Sequence, residues 1–153
     1  MKSKGFTIIE LIVVIAIIAV LAAIVLVNVT QYINKSKNAN IKANLAGLTT
    51  DGTVYFESDP TYNGSYQNFC NSSSVASAKT AIDKIWDPTG NVTGTVTCNT
   101  NNTFTKWCAC AGLLTTSTDP SDSNFCVDST GYKKETNTIP SCDTRCFKGS
   151  CSS

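Results

Sequence analysis

The sequence contains no histidine, a single methionine and four prolines among 153 residues. Without imidazole there is no Ser/His or Cys/His nucleophilic pair, no histidine general base and no zinc site that needs a histidine ligand. Charge is scarce as well. Charged residues make up 15% of the chain, twelve basic against eleven acidic, a net charge of +1. No bulk field therefore recruits nucleic acid or an acidic substrate. A G-x-x-x-x-G-K-[ST] loop is also missing, so the chain carries no P-loop for nucleotide phosphates. No set of carboxylates, serines or lysines stands out as catalytic, and the chain reads as a non-enzyme that uses no cofactor.

What is present is distributed unevenly. After the short basic stretch Met1-Lys2-Ser3-Lys4-Gly5, every residue from Leu11 to Val27 is apolar, and the run extends to Phe6 and Val29 with only Thr7, Glu10 and Asn28 interrupting. At about 1.5 Å per residue the stretch from Phe6 to Val29 reaches roughly 36 Å, enough for a hydrocarbon layer of about 30 Å. It can span a membrane.

From residue 58 onward Ser, Thr and Asn dominate, large aliphatics are few, and all eight cysteines occur: Cys70, Cys98, Cys108, Cys110, Cys126, Cys142, Cys146 and Cys151. A region this poor in core residues needs covalent staples, and an even cysteine count suits full oxidation. Metal binding is the weaker reading, since Cys108-x-Cys110 and Cys142-x3-Cys146 lack the C-x2-C spacing. Disulfides require an oxidising compartment. Lys2 and Lys4 precede the apolar run while Lys35, Lys37 and Lys42 follow it, so charge alone does not orient the span. The disulfides do, placing the N-terminus in the cytoplasm and the cysteine-rich part outside.

The chain divides into a leader (1–5), an apolar half-helix (6–29), its amphipathic continuation (30–57) and a disulfide-rich head (58–153). In 30–57, Ile33, Ile41, Leu45, Leu48 and Tyr55 recur at helical spacing, with Lys35, Asn38, Lys42 and Asn44 elsewhere on the wheel. Gly47 and Gly52 weaken the last turns by about 1 kcal/mol each. Val75, Ala78, Ile82, Ile85 and Trp86 indicate a short helix ended by Asp87-Pro88. Strands are expected at Val92–Cys98, Thr103–Leu114 and about Phe125–Ser129, the first two joined by a polar turn over residues 99–102. Trp107, Ala109, Ala111 and Leu113 share the strand face suited to packing on a helix. The result is an α+β fold, one long N-terminal helix on a small antiparallel sheet with a stapled C-terminal region.

The string Lys4-Gly5-Phe6-Thr7-Ile8-Ile9-Glu10-Leu11 closes the leader with glycine and sets a glutamate inside the apolar run. It resembles the class III signal of bacterial type IV pilins and of type II secretion pseudopilins. That resemblance implies a membrane aspartyl peptidase that cleaves after Gly5 and methylates the new N-terminal Phe6. It implies too that Glu10 pairs with the Phe6 α-ammonium of a neighbouring subunit, the plainer alternative being a carboxylate that snorkels to the nearby membrane interface. Other partners it implies are the subunit itself and related pilins, a cytoplasmic assembly ATPase and an inner-membrane platform. The chain would start in the cytoplasmic membrane and end in an extracellular filament. Ala19 and Val27 stand where many pilins have a helix-breaking glycine and proline, so an unbroken helix is expected. The leading expectation is a structural pilin. A pseudopilin of a secretion or competence system is the alternative within the family, and an uncleaved, membrane-anchored binding domain is the alternative outside it.

Other candidate sites are weaker. Asp119, Asp122 and Asp128 are oxygen donors that could meet calcium, though without EF-hand spacing, and solvated turn acids are the simpler reading. Lys133, Lys134, Arg145 and Lys148 are matched by nearby acids, so nucleic acid is not expected as a partner. Trp86, Trp107, Tyr132 and Phe147 read as core aromatics rather than a glycan platform. Asn-x-Ser/Thr sequons recur between Asn28 and Asn101, as chance dictates in such a composition.

Overall fold

The computed structural model describes residues 5–58, 64–89, 96–118, 123–136, 146–147 and 149–151. Helix α1 spans Ile8–Ser58, a 3-10 turn covers Phe69–Asn71, and α2 spans Ser73–Trp86. Strands β1 (Val96–Thr100), β2 (Trp107–Gly112), β3 (Asn124–Asp128) and β4 (Lys133–Thr136) follow, then the short β5 (Cys146–Phe147) and β6 (Ser150–Cys151). By its contacts the chain forms two compact units, Met1–Ile33 and Asn34–Ser153.

In the first unit every α1 residue from Leu11 to Val25 is apolar, and Ile8, Leu11, Ile15, Ile18, Leu21 and Val25 are exposed. No glycine or proline lies between Ile8 and Ile33, so this part of the backbone has no cause to kink. The helix is continuous through Ala19 and Val27, in line with the expectation from the sequence.

The second unit contains the core. β1, β2, β3 and β4 form an antiparallel sheet in chain order, with Cys98 opposite Ala109, Cys110 opposite Cys126 and Phe125 opposite Glu135. One face presents Trp107, Ala109, Ala111, Phe125 and Val127 to a cluster with Ile41, Leu45 and Leu48 of α1 and Val75, Ala78 and Ile82 of α2. The α1 residues recur every three or four positions, which keeps them on one face. Ser72 caps α2, its hydroxyl accepting from the Val75 N–H at 3.4 Å, and a disulfide from Cys70 to Cys98 ties the 3-10 turn to β1.

Two residues revise the sequence reading of α1. Gly52 does not fray the helix, which continues to Ser58. A Cβ at Gly52 would lie 2.6 Å from Trp107 Nε1, so the missing side chain is the seat of the indole. Asn38 was expected on the polar side but is only 1% exposed. It lies three residues before Ile41 and grips one residue of the segment after β2. Its Nδ2 donates to the Leu114 carbonyl at 2.8 Å, and its Oδ1 accepts from the Leu114 N–H at 2.8 Å. Asn34 Nδ2 adds a bond to the Thr115 carbonyl at 3.1 Å. Asn38→Ala strands both Leu114 groups, each worth about 1–3 kcal/mol when buried unsatisfied. A loss of about 2–4 kcal/mol in denaturant unfolding is the expected result.

Strand positions shift relative to expectation. β1 begins at Val96, and the earlier part of the expected strand lies outside the described residues. The β1–β2 connection occupies residues 101–106 rather than 99–102 because the Asn101 side chain organises it. Asn101 Nδ2 reaches the Thr103 and Thr105 hydroxyls at 2.7 and 2.8 Å, and its Oδ1 accepts from the Lys106 N–H at 2.9 Å. Phe104 takes a φ of 53° there, and its carbonyl accepts from the Tyr66 N–H at 2.6 Å. Burial pushes the Tyr66 hydroxyl above the ordinary phenol range, partly offset by a hydrogen bond with Trp107.

Candidate functional site

The N-terminal segment carries the signal, and its backbone is built by a local rule. Gly5, Phe6 and Thr7 precede the helix, which begins at Ile8. Thr7 is the cap. Its carbonyl accepts from the Leu11 N–H at 3.3 Å, and its hydroxyl oxygen accepts from the Glu10 N–H at 3.3 Å. Glu10 answers in the other direction. Its Oε2 accepts from the Thr7 N–H at 2.9 Å and from the Thr7 hydroxyl at 2.8 Å. This is a capping box, in which two otherwise orphaned donors of the first turn are satisfied reciprocally.

The arrangement gives Glu10 a reason to be in an apolar run that needs no second chain. It also orders the segment chemically. Gly5 and Phe6 lie outside the helix and are exposed, Phe6 to 78%. Glu10 folds back toward Thr7, placing negative charge at the end of the helix where the backbone dipole is positive. The Thr7-x-x-Glu10 spacing before an apolar run was the sequence signal for this cap. Thr7 is the partner of Glu10 that the sequence analysis did not name.

The second concentration of chemistry is sulfur. Two disulfides are formed among the described residues, Cys70 with Cys98 and Cys108 with Cys146, their Cα atoms 5.5 and 5.4 Å apart. Cys110 and Cys126 face each other across β2 and β3 with their Sγ atoms 2.7 Å apart, and Cys151 Sγ lies 3.1 Å from Cys108 Sγ. Cys142 is outside the described residues. Among the described residues no group of three or more metal-ligating side chains converges.

The remaining candidates scatter. Asp119 and Asp122 are outside the described residues. Asp128 is 2% exposed, and its carboxylate holds backbone rather than an open site. Oδ1 accepts from the Thr130 N–H, the Thr130 hydroxyl and the Tyr132 N–H, while Oδ2 accepts from the Cys151 N–H. Lys133 and Lys134 are exposed on β4, and Arg145 and Lys148 are not described. Trp107 is buried in the core, whereas Trp86 is 37% exposed.

A long N-terminal helix joined to a small antiparallel sheet with paired cysteines is a pilin-like α+β fold. Residues 1–26 match the family model described as the prokaryotic N-terminal methylation motif, a class III signal peptide characteristic of type IV pilins and pseudopilins. No curated protein and no solved structure matches the chain. The motif supports a pilin or pseudopilin type of function, and together with the apolar helix it is consistent with membrane anchoring.

Proposed function

We propose that the chain is the structural subunit of a type IV pilus-like surface filament, made as a membrane precursor and polymerised through its N-terminal helix. The observation that carries this reading is the methylation motif at residues 1–26 on a helix whose apolar side chains from Ile8 to Val25 are exposed. Such a surface is stable in only two settings. It is dissolved in hydrocarbon, or it is buried against other copies of itself. Moving from the first setting to the second gains little hydrophobic free energy, so extraction draws on an external motor. The cytoplasmic ATPase and platform protein of such machines fill that role. Copies joined by one repeated contact that does not close a ring produce an open helical filament.

Within this reading residues 1–5 are the leader that the prepilin peptidase removes, 6–29 the membrane and assembly half of the helix, 30–57 its amphipathic half, and 58–153 the head displayed outside the cell. Phe6 becomes the methylated terminus, and Glu10 meets the α-ammonium of an adjacent subunit. The mass of the mature protein's N-terminal peptide is the direct test. A chain beginning at Phe6 and carrying one extra methyl group is expected. Retention of Met1 would overturn the proposal in favour of an uncleaved anchored domain.

A further inference from the structure

A glycine in mid-helix weakens the helix unless something needs its missing side chain. The two glycines of α1 differ in this respect. Gly52 seats the Trp107 indole, whereas a Cβ at Gly47 would meet nothing within 4 Å. Gly47 opens instead onto a cleft of about 680 Å³ between α1 and α2, lined by Leu48 and Ala78 and by the small side chains of Ser77 and Ala81. Asp51 is the one charged residue of that lining. It is exposed, and among the described residues it makes no ion pair.

The β1–β2 connection carries the complement. Phe104 holds a left-handed φ of 53°, an outlier for a bulky residue. Its side chain is 37% exposed and belongs to neither buried cluster. The backbone beneath it is fixed. The Asn101 side chain bridges Thr103, Thr105 and Lys106, and the Phe104 carbonyl accepts from the Tyr66 N–H. A ring presented on a pre-set loop loses little freedom when it docks. Lys106 is the one charged residue of this connection, exposed and, like Asp51, in no ion pair among the described residues.

We infer that Phe104 of one subunit seats in the α1–α2 cleft of the next, with Lys106 meeting Asp51 at the rim. This contact rests on the filament reading above. The occupant is a second copy because one chain carries both halves: an exposed ring beside a cation, and an open cleft beside an anion. The two surfaces share no residue, so the contact is heterologous. Repeated without closing a ring, it propagates as an open helix. Burial of the ring supplies the affinity, and the charge pair sets orientation and excludes wrong registers.

Charge reversal in the full chain tests the pairing. Asp51→Lys and Lys106→Asp should each lower the yield of sheared filaments by about tenfold or more, because each sets like charges against each other. The double variant D51K/K106D should return the yield to within about threefold of the parent. Gly47→Leu approaches the same contact from the cleft. It should lower the yield comparably while the detergent-solubilised subunit keeps the near-UV signal of Trp107, since the added Cβ meets nothing in its own fold. Single reversals that assemble like the parent, or a double variant no better than either single, would overturn the contact and leave the filament reading standing. Normal assembly of Gly47→Leu would do the same. A parent chain that yields no sheared filaments would overturn the filament reading and the contact with it.

Discussion

Glu10→Ala is expected to abolish filament assembly, whereas Thr7→Ala only reduces it. Both substitutions break the capping box, and a lost cap costs about 0.5–2 kcal/mol. If Glu10 pairs across subunits as proposed, only Glu10→Ala also deprives the neighbouring Phe6 ammonium of its counter-charge. Removing one partner of a buried ion pair costs about 3–5 kcal/mol, a penalty repeated at every subunit added. The yield of sheared filaments against the membrane-retained pool separates the two effects. Equal loss in the two variants would mean that Glu10 acts through the cap alone, and the inter-subunit pairing would be wrong.

The second large effect is expected in the head. Trp107 is 1% exposed, with its ring centroid 4.8 Å from that of Phe69 and 6.5 Å from that of Tyr66. Trp107→Ala should cost about 3–5 kcal/mol, a large share of the roughly 5–15 kcal/mol that stabilises a typical domain. Gly52→Ala should also destabilise, by about 1–3 kcal/mol from overpacking, although alanine is intrinsically the better helix former by about 1 kcal/mol. Combined, the two changes should cost less than their sum, because the alanine at 52 then faces the space vacated by the indole. Denaturant unfolding of the four proteins measures this coupling, and strict additivity would show that Gly52 does not serve as the indole's seat.

How far the sequence announced this structure depended on whether a residue's role followed from its own chemistry or from a partner. The apolar run, the α2 helix ending at Trp86, and the inward face of β2 were legible because each is a periodic pattern of apolar side chains. Asn38 was not. A helical wheel sorts residues by polarity, and nothing in the type asparagine reveals that the Leu114 peptide will satisfy it. β4 also escaped, since Lys133-Lys134-Glu135-Thr136 has no apolar alternation. It is an edge strand held by backbone pairing to β3, and charge is what such an edge tolerates. Its Glu135 reaches Lys42 of α1 at 2.7 Å, a partly exposed pair that adds little by itself. Cys70, Cys98, Cys108 and Cys146 were visible as staples, but their pairing depends on strand register. The Thr7-x-x-Glu10 cap was present in plain spacing. It was missed because an acid in an apolar run draws attention to its charge before its distance from the helix end.

The bond between Cys70 and Cys98 has a mechanical meaning for any chain that is pulled. It closes a segment of 28 residues that contains all of α2. Tension entering the head from the helix side crosses from the 3-10 turn to β1 through sulfur, and α2 bears none of it. At about 3.3–3.6 Å per extended residue, the bridge withholds roughly 90–100 Å of slack. Under load the head can yield elsewhere, but this part of it cannot lengthen until a covalent bond breaks.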